Sequence, residues 1–328
     1  MILAIETSCD DTCAAVLEAS GRHALSNVVH TQTEHERYGG VVPEVASRAH
    51  LERLDGVVGK ALDDAGAELD EIERVAVTVR PGLIGALLVG LSAAKSLAFA
   101  RKLPLVPVNH LEGHVAAAYL ADPELEPPFV ALIASGGHTA LYSVAGDGMD
   151  LLGQTLDDAA GEALDKGARM LGLGFPGGPA ISKAGRDGDP SRYDFPVALK
   201  EKNNLDFSFS GLKTSLLYKL KALDESGVRE ELPHLAAGYE VAVVEALSRK
   251  LLRVAELYDA STLVLVGGVA ANASLRRVLA EECERRGLKL VVPPPELCTD
   301  NAAMIGAAAA TAPAVPYPDY LSLNARSV

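Results

Sequence analysis

The chain has 328 residues, 48% of them hydrophobic and 23% charged, a balance that excludes a disordered protein and leaves room for two domains. Its net charge of −14 excludes a broad basic surface able to hold nucleic acid unaided. The cysteines are too few and too scattered for a disulfide framework, which indicates a reducing compartment. They are Cys9, Cys13, Cys283 and Cys298, and we expect all four to be buried or half-buried.

The opening sequence MILAIETSCDD lacks the basic region of a signal peptide, so we expect a cytoplasmic protein. Residues 2–5 and 13–17 predict a β-hairpin whose loop carries small polar and acidic residues, among them Asp10. A break at Gly39-Gly40 precedes a predicted helix after Pro43. Residues 75–79 and 105–108 predict strands. The apolar run 83–100 between them contains Ser92 and Lys95, and it predicts a buried helix rather than a membrane span.

A second, similar set of predicted strands and helices follows. Residues 129–134 and 139–144 predict another hairpin, which suggests an internal duplication. Helices are predicted at 159–171, in two pieces over 232–258, and from about Asn272. Strands are predicted at 262–266 and 288–292, and Thr299-Asp300 is predicted to cap a last helix. Strands alternating with helices predict an α/β protein. We expect one lobe at 1–108, joined by 299–328, and a second lobe at 109–298 that includes the histidines described next.

The segment His110-Leu-Glu-Gly-His114 is a candidate metal site. Histidines four residues apart lie on one face of a helix and can share one ion, whereas Glu112 lies on another face, so the geometry of H-E-x-x-H metallopeptidases fails. Asp300 is the candidate third ligand, and two histidines with one carboxylate suit Zn²⁺ or Fe²⁺. The spacing alone is equally consistent with two histidines that bind nothing.

Two glycine turns follow predicted strands. Adjacent glycines in Ser135-Gly136-Gly137-His138 let a ligand approach the backbone, whose N–H groups can hold an anion. Gly267-Gly268 leads into a helix start, a geometry that suits the ribose or phosphate of a nucleotide. Ordinary tight turns would give the same two patterns.

Charged residues form two further groups. The helix after Asp157 carries Asp158, Glu162, Asp165 and Lys166, which could bind hydroxyls, Mg²⁺ or an amine. Lysines around Lys213 form a local basic region that could contact RNA phosphates. A solvated surface is the simpler interpretation of both groups.

Ten segments, in their order along nearly the whole chain, make the sequence similar to the TsaD/Kae/Qri family, once described as O-sialoglycoprotein endopeptidases. The segments are ETSCDDT (6–12), YGGVVPEVASRAH (38–50), PGLIGALLVG (81–90), NHLEGH (109–114), SGGHT (135–139), DDAAGEALDK (157–166), FPGGP (175–179), DFSFSGLKT (206–214), GGVAAN (267–272) and CTDNAAMI (298–305).

The resemblance implies an actin/Hsp70/sugar-kinase (ASKHA) fold with two lobes and duplicated RNase-H-like cores. It implies a metal-dependent acyltransferase that moves a threonylcarbamoyl group from threonylcarbamoyl-AMP to the N6 amine of the adenosine 3′ of the anticodon, in tRNAs that read codons beginning with A. It implies the metal ligands His110, His114 and Asp300. The substrate-binding positions that it implies, together with the glycines of the nucleotide turn, are Ile133, Ala134, Ser135, Gly136, Gly137, His138, Asp165, Gly178, Asn272, Gly267 and Gly268.

The resemblance also implies partners: tRNA, a paralogous TsaB-type subunit, a TsaE-type ATPase that uses ATP and Mg²⁺, and a TsaC-type enzyme that makes the adenylate. No membrane is implied. Asp10 is our hypothetical proton acceptor or electrostatic partner. A small-molecule kinase of the same fold, a metalloprotease and a nucleotide-binding scaffold are the alternatives. The histidine pair and the lack of a sugar-binding signature disfavour the kinase, and the H-x-E-x-H spacing disfavours the protease.

Overall fold

The computed structural model describes residues 1–38, 40–146 and 148–328, and of residues 36–38 it describes the backbone. The predicted Gly39-Gly40 break includes Gly39, which lies outside the described residues. The strands are β1 (Ile2–Glu6), β2 (Asp11–Leu17), β3 (Ala24–Thr31), β4 (Arg74–Arg80), β5 (Leu105–Asn109), β6 (Phe129–Ala134), β7 (Thr139–Ala145), β8 (Gly148–Gln154), β9 (Thr262–Val266) and β10 (Lys289–Val291). The helices are α1 (Pro43–Ala65), α2 (Ile84–Arg101), α3 (His110–Ala121), α4 (Ala160–Met170), α5 (Gly177–Gly185), α6 (Ser210–Lys221), α7 (Glu225–Tyr258), α8 (Ala273–Arg286), α9 (Pro295–Cys298) and α10 (Ala302–Ala309).

Two five-stranded sheets share one topology. Their orders are β3-β2-β1-β4-β5 and β8-β7-β6-β9-β10. In each sheet the first three strands are antiparallel neighbours, and the remaining two continue in parallel with the central strand. The predicted α/β class and the predicted duplication are therefore confirmed. The sequence reading missed β3 and β8, because both are mostly exposed and lack an apolar face.

The chain divides into two compact units, Met1–Leu125 with Thr299–Val328, and Glu126–Cys298. The boundary expected near residue 108 is corrected to residue 125, so that the two histidines belong to the first unit. The physical reason is the packing of α3 on α10. A Cβ on Gly113 would lie 2.6 Å from Cδ1 of Ile305, and this close approach fixes α3 to the first unit.

The first unit is built around β1, whose five residues are all buried. Leu3 and Ile5 point into a core completed by apolar residues of α1, α2 and the C-terminal segment, including the buried Tyr320. Burying such aliphatic side chains contributes about 1.5–3 kcal/mol each. The residues that follow β1 are also buried although polar, and they form part of the site described below.

Helix α2 is less buried than the sequence predicted. Ala86, Leu87 and Leu91 face the core, whereas Ile84 and Phe99 are exposed. By length and composition it is the one helix, in the part of the chain that the structure describes, that could cross a membrane, and a third of it is buried. A single helix of this kind is weak evidence for a membrane span, since helices packed on the core of a protein can have the same length and composition.

The second unit is organised by α7, a single helix of 34 residues where two helices were predicted. Pro233 lies inside it without ending it. Leu235, Tyr239 and Val243 continue one buried face beyond this proline, and their packing outweighs the local cost of the proline. The buried Tyr239 donates a hydrogen bond of 2.8 Å to the carbonyl of Ala163, which ties α7 to α4.

Candidate functional site

The first cluster starts where β5 runs into α3. Asn109 caps the helix, since its side-chain oxygen accepts the N–H of Leu111 at 2.8 Å. His110 and His114 lie on the same face and are 7% and 1% exposed. Glu112 is exposed. The predicted helix, its shared histidine face and the outward direction of Glu112 are therefore all seen in the structure.

Asp300 lies beside both histidines. Its Oδ1 is 3.5 Å from Nε2 of His110 and 3.4 Å from Nε2 of His114. The three candidate ligand atoms lie within 4.8 Å of one another. Asn301, rather than the predicted Thr299-Asp300, caps α10, because its Oδ1 accepts the N–H of Met304 while its amide donates to the carbonyl of Thr299. The fully buried Asn301 thereby fixes the turn that carries Asp300.

A buried carboxylate orients His110. Glu6, at the end of β1, is fully buried, and its Oε2 lies 3.0 Å from Nδ1 of His110. Thr78 donates to the same oxygen at 2.5 Å, and the N–H of Ser8 donates to Oε1. Ser8 Oγ also lies 3.2 Å from Nδ1 of His110. With Nδ1 engaged by Glu6, Nε2 of His110 is left to face Asp300.

His114 differs from His110, since neither of its ring nitrogens makes a hydrogen bond within the described residues, although both atoms are buried. Its Nε2 lies 3.4 Å from Oδ1 of Asp300. An unsatisfied buried polar atom costs about 1–3 kcal/mol. The donor set therefore fits a metal ion, which would bind the open Nε2 of His114 together with Nε2 of His110 and a carboxylate oxygen.

The electrostatics of the two histidines are opposite. Burial by itself would lower the pKa of His110, but the carboxylates of Asp300 and Glu6 outweigh it and raise that pKa to about 9. Burial lowers the pKa of His114 below its usual value, and Asp300 does not compensate. Burial by itself would raise the pKa of Glu6, but the charge of His110, together with the hydrogen bonds to His110 and Thr78, lowers it. Without a metal, the neighbouring carboxylates thus favour the cationic form of His110, whereas burial favours the neutral form of His114.

The first hairpin loop also holds two aspartates. Asp10 is half-buried in the turn, where its carbonyl accepts the N–H of Gln32. Asp11 opens β2, and burial raises the pKa of its carboxyl to about 7. Its Oδ1 is buried without a hydrogen-bond partner among the described residues. Acidic charge therefore accumulates in this loop.

The second cluster lies in the second unit, at the carboxyl ends of the parallel strands β6 and β9. Ile133 and Ala134 are buried at the end of β6, and Ser135–His138 form the turn into β7. A Cβ on Gly136 or Gly137 would meet no described atom within 4 Å, so that open space lies over this backbone. Ser135 closes the turn, because its N–H donates to the carbonyl of His138 while its Oγ accepts the N–H of His138.

Close contacts join this turn to the other predicted positions. Gly161 of α4 packs against Ser135, with 2.7 Å between its added Cβ and the Ser135 carbonyl. Asp165, one turn further along α4, accepts the N–H of Gly177 at 2.7 Å, and Gly178 follows on α5. On the opposite side, Gly267 has φ +90° and lies against Ala134.

Asn272 completes this set of residues. It caps α8 through its Oδ1, which accepts the N–H of Leu275 at 2.8 Å, and its amide lies 3.3 Å from Ser182 Oγ on α5. The structure therefore brings the predicted substrate-binding positions of the second unit into one connected cluster, here called the glycine-turn cluster.

The two charged groups have ion-pair partners. Asp158 pairs with Lys166 at 2.7 Å and with Lys213 at 2.6 Å. Asp157 accepts hydrogen bonds from Ser208 and from the N–H of Phe209. The DDAAGEALDK and DFSFSGLKT segments thus fix one another, and Lys213 is engaged in an ion pair within the protein.

Sequence reasoning missed the residues that support the candidate ligands. Glu6, Thr78 and Asn301 around the histidines are buried polar residues in apolar surroundings. One feature of the sequence could have indicated this role: Glu6 is a charged residue at the end of an otherwise apolar strand.

The comparisons with known proteins first define the fold class. The structure is similar to HypF of T. kodakarensis, with TM-score 0.64 and 13% identity over 94% of this chain and 46% of that one. It is also similar to the activator of 2-hydroxyisocaproyl-CoA dehydratase from Clostridium difficile with bound ADPNP, with TM-score 0.54 and 16% identity over 95% and 93% of the two chains. These likenesses, together with the duplicated sheets, give the protein the two-unit fold of the ASKHA superfamily.

Sequence comparisons identify the family to which the chain belongs. The TsaD family, described as tRNA N6-adenosine threonylcarbamoyltransferase, matches residues 23–307. Proteins of that name from Syntrophus aciditrophicus and Anaeromyxobacter dehalogenans are each 53% identical, covering 93% and 94% of this chain and 90% and 92% of the relatives. One from Clostridium perfringens is 48% identical over 94% of this chain. The chain belongs to this family of acyltransferases.

Proposed function

We propose that the protein transfers a threonylcarbamoyl group from threonylcarbamoyl-AMP to the N6 amine of the adenosine 3′ of the anticodon, in tRNAs that read codons beginning with A. Membership of the TsaD family supports the reaction. The observation that carries the proposal for this chain is the buried cluster of His110, His114 and Asp300, with the open Nε2 of His114 at its centre.

One divalent ion, Fe²⁺ or Zn²⁺, is held by these three residues in our proposal. Two imidazoles and one carboxylate leave room for further ligands, as in catalytic rather than structural sites. Bound there, the ion supplies Lewis-acid polarisation of a donor oxygen. Glu6 holds the ring of His110 in the tautomer whose Nε2 can bind metal, the usual role of a carboxylate behind a metal-bound histidine.

The glycine-turn cluster binds the nucleotide part of the donor in our proposal. The open backbone at Gly136 and Gly137 can hold an anion through its N–H groups. Asp165, Gly178 and Asn272 supply the remaining polar contacts, and Gly267-Gly268 closes the turn next to β6. Ile133, Ala134 and His138 contribute the backbone on either side of the glycines.

The transfer itself needs no protein nucleophile. The N6 nitrogen of the adenosine forms a bond to the carbamoyl carbon, the bond from that carbon to the phosphate oxygen breaks, and AMP leaves with the electron pair. The nitrogen loses one proton, and Asp10 is our candidate to accept it or to balance charge. Holding the two substrates in fixed geometry supplies much of the rate acceleration.

Partners complete the proposal. A chain of net charge −14 is unsuited to holding tRNA unaided. We propose that it works in the cytoplasm with a TsaB-type paralogue and a TsaE-type ATPase that uses ATP and Mg²⁺, while a TsaC-type enzyme supplies the adenylate.

The test is a transfer assay with the full chain, its partner subunits, threonylcarbamoyl-AMP and unmodified tRNA that reads A-starting codons. Mass spectrometry of the digested nucleosides is expected to show threonylcarbamoyladenosine. An absence of product with partners that are active alongside a relative would overturn the proposal. An Asp10→Asn variant with unchanged turnover would remove Asp10 from it and leave the rest standing.

A further inference from the structure

A buried carboxylate with no assigned role lies behind the glycine-turn cluster. Glu240 on α7 is 8% exposed. Its Oε1 accepts the side-chain amide of Asn272 at 2.7 Å and the hydroxyl of Ser182, and its Oε2 lies 3.5 Å from the hydroxyl of Ser274. One side chain of α7 thus joins α5 to α8.

The partners of Glu240 are all neutral. In the described ranges no Lys or Arg nitrogen lies within 4.0 Å of its carboxylate, although most other acidic groups in this unit that make side-chain contacts have such a partner. A buried carboxylate without a cation costs several kcal/mol of desolvation, which neutral hydrogen bonds offset only in part. The carboxylate in turn provides a fixed acceptor for the three neutral donors around it.

The contact with Asn272 determines which way the side-chain amide of that residue is turned. The amide of an asparagine can be turned by 180°, which exchanges its donor and acceptor. Glu240, as a carboxylate, accepts only, so it holds Nδ2 of Asn272 toward itself and leaves Oδ1 for the first turn of α8, where it accepts the N–H of Leu275.

The hydroxyl of Ser182 is fixed in the same way. Its proton is donated to Glu240, so its lone pairs are left for other donors, one of which is the amide of Asn272 at 3.3 Å. Ser182 lies on α5, whose first turn carries Gly177 and Gly178. The position of Glu240 is itself rigid, because the neighbouring Tyr239 ties α7 to α4.

We propose that Glu240 is a positioning residue of the donor site: it engages the amide of Asn272 and the proton of Ser182, and so leaves the remaining oxygen lone pairs of these two residues to accept hydrogen bonds from the sugar hydroxyls of a nucleoside monophosphate ester. The inference rests on the proposed function of the glycine-turn cluster. Hydroxyl groups both donate and accept, so they need partners whose donors and acceptors point in defined directions, and Glu240 defines them.

The test uses Glu240→Leu in the full chain with its partner subunits. Leucine keeps most of the volume but leaves the Asn272 amide and the Ser182 hydroxyl without this acceptor, so the midpoint of chemical unfolding is expected to fall. The KM for threonylcarbamoyl-AMP is expected to rise about tenfold or more, with kcat within about threefold of wild type. Glu245→Leu, the same change at an exposed site on the same helix, is the matched control. It is expected to leave the unfolding midpoint, the KM and the kcat unchanged.

Two further variants separate positioning from folding. Glu240→Gln keeps an acceptor for Asn272, and its KM is expected to lie within about threefold of wild type. Asn272→Ser keeps a good helix cap and removes the amide, so its KM is expected to rise as in Glu240→Leu, and the double variant is expected to be no worse than either single one.

The outcomes distinguish this inference from the function on which it rests. A raised KM in Asn272→Ser with an unchanged KM in Glu240→Leu overturns the role of Glu240 alone. An unchanged KM in Asn272→Ser overturns the proposed donor site. A Glu240→Gln variant as impaired as Glu240→Leu, or additive effects in the double variant, overturns positioning through Asn272, and this holds even where Glu240→Leu does not fold.

Discussion

The hairpin of β1 and β2 and the hairpin of β6 and β7 occupy the same place in two sheets of identical strand order, yet their loops are built differently. At the end of β1 and directly after it, the polar residues Glu6, Thr7 and Ser8 are buried. A Cβ on Gly82 would lie 2.6 Å from the carbonyl of Ser8, so that loop is tightly enclosed. After β6, Gly136 and Gly137 are exposed, with open space over their backbone.

The two loops of this duplicated scaffold are therefore suited to different chemical roles. The closed loop presents side chains that hold a histidine ring in one orientation. The open loop presents backbone N–H groups to which a ligand has access. The same strand arrangement therefore supports a closed loop beside the candidate metal ligands in one unit and an open turn, proposed to bind the donor, in the other, according to which residues follow the central strand.

The largest effect is expected from the candidate ligands of the closed site. His110→Ala and His114→Ala each remove a nitrogen donor, so we expect bound metal to be lost and transfer to fall by about 100-fold or more. Elemental analysis of the purified protein and the nucleoside assay measure the two effects. Glu112→Gln, at the exposed position between the histidines, is the control and should retain both. Full metal content in the histidine variants would contradict the assignment.

A smaller effect is expected from the residue behind His110. Glu6→Gln keeps the size of the side chain and weakens its hold on Nδ1 of His110, so we expect metal affinity to fall about 10- to 100-fold. Competition with a chelator of known affinity measures this loss. An unchanged affinity would show that the ring of His110 is held by Ser8 or by packing, and that Glu6 is dispensable.

These two positions show what the sequence could and could not predict. Helical spacing predicts the histidine pair, and Asp300, at the predicted start of a helix, is the candidate third ligand that the resemblance to the TsaD family also implies. Asp300 lies beside the histidines because α3 packs against α10. Gly113 permits this packing, and no local sequence pattern predicts it. That packing also misled the domain assignment, since α3 follows β5 directly and was assigned to the second lobe.

The residues that support the candidate site could not be predicted from local sequence patterns, for a different reason. Glu6, Asn301 and Glu240 each lie in segments whose other residues are apolar or ordinary helix formers, and a single polar residue there is usually solvated. Their burial is set by neighbours distant in sequence. The fold class and the repeated hairpins were accessible because periodicity is local, whereas β3 and β8 were missed because edge strands lack it.

Substitution of one glycine in each loop sharpens the comparison between closed and open hairpins. Gly82→Ala is expected to lower the free energy of unfolding by about 1–3 kcal/mol, because the added methyl meets the backbone of Ser8. Gly137→Ala is expected to change it by less than about 0.5 kcal/mol while raising the donor KM about tenfold. Chemical denaturation and steady-state kinetics measure these values. Equal stabilities of the two variants would contradict the distinction.

The smallest effect concerns Asp11 in the closed loop. Burial raises its pKa to about 7, so the folded state binds a proton that the unfolded state releases above pH 4, and this aspartate lowers stability increasingly as the pH rises toward 7. Asp11→Asn removes that penalty. We expect the metal-free variant to be more stable than wild type by about 2 kcal/mol at pH 8, and by less at pH 5. A gain independent of pH would point to a different cause.

We propose that the cluster of His110, His114 and Asp300 binds a metal on which threonylcarbamoyl transfer depends. A decisive experiment strips the full chain with a chelator and assays transfer with its partners before and after adding back Fe²⁺ or Zn²⁺. We expect activity to be lost on stripping and to be restored by one equivalent of metal in the wild type but not in His114→Ala. Full activity of the stripped protein would show that transfer does not depend on a metal at this cluster.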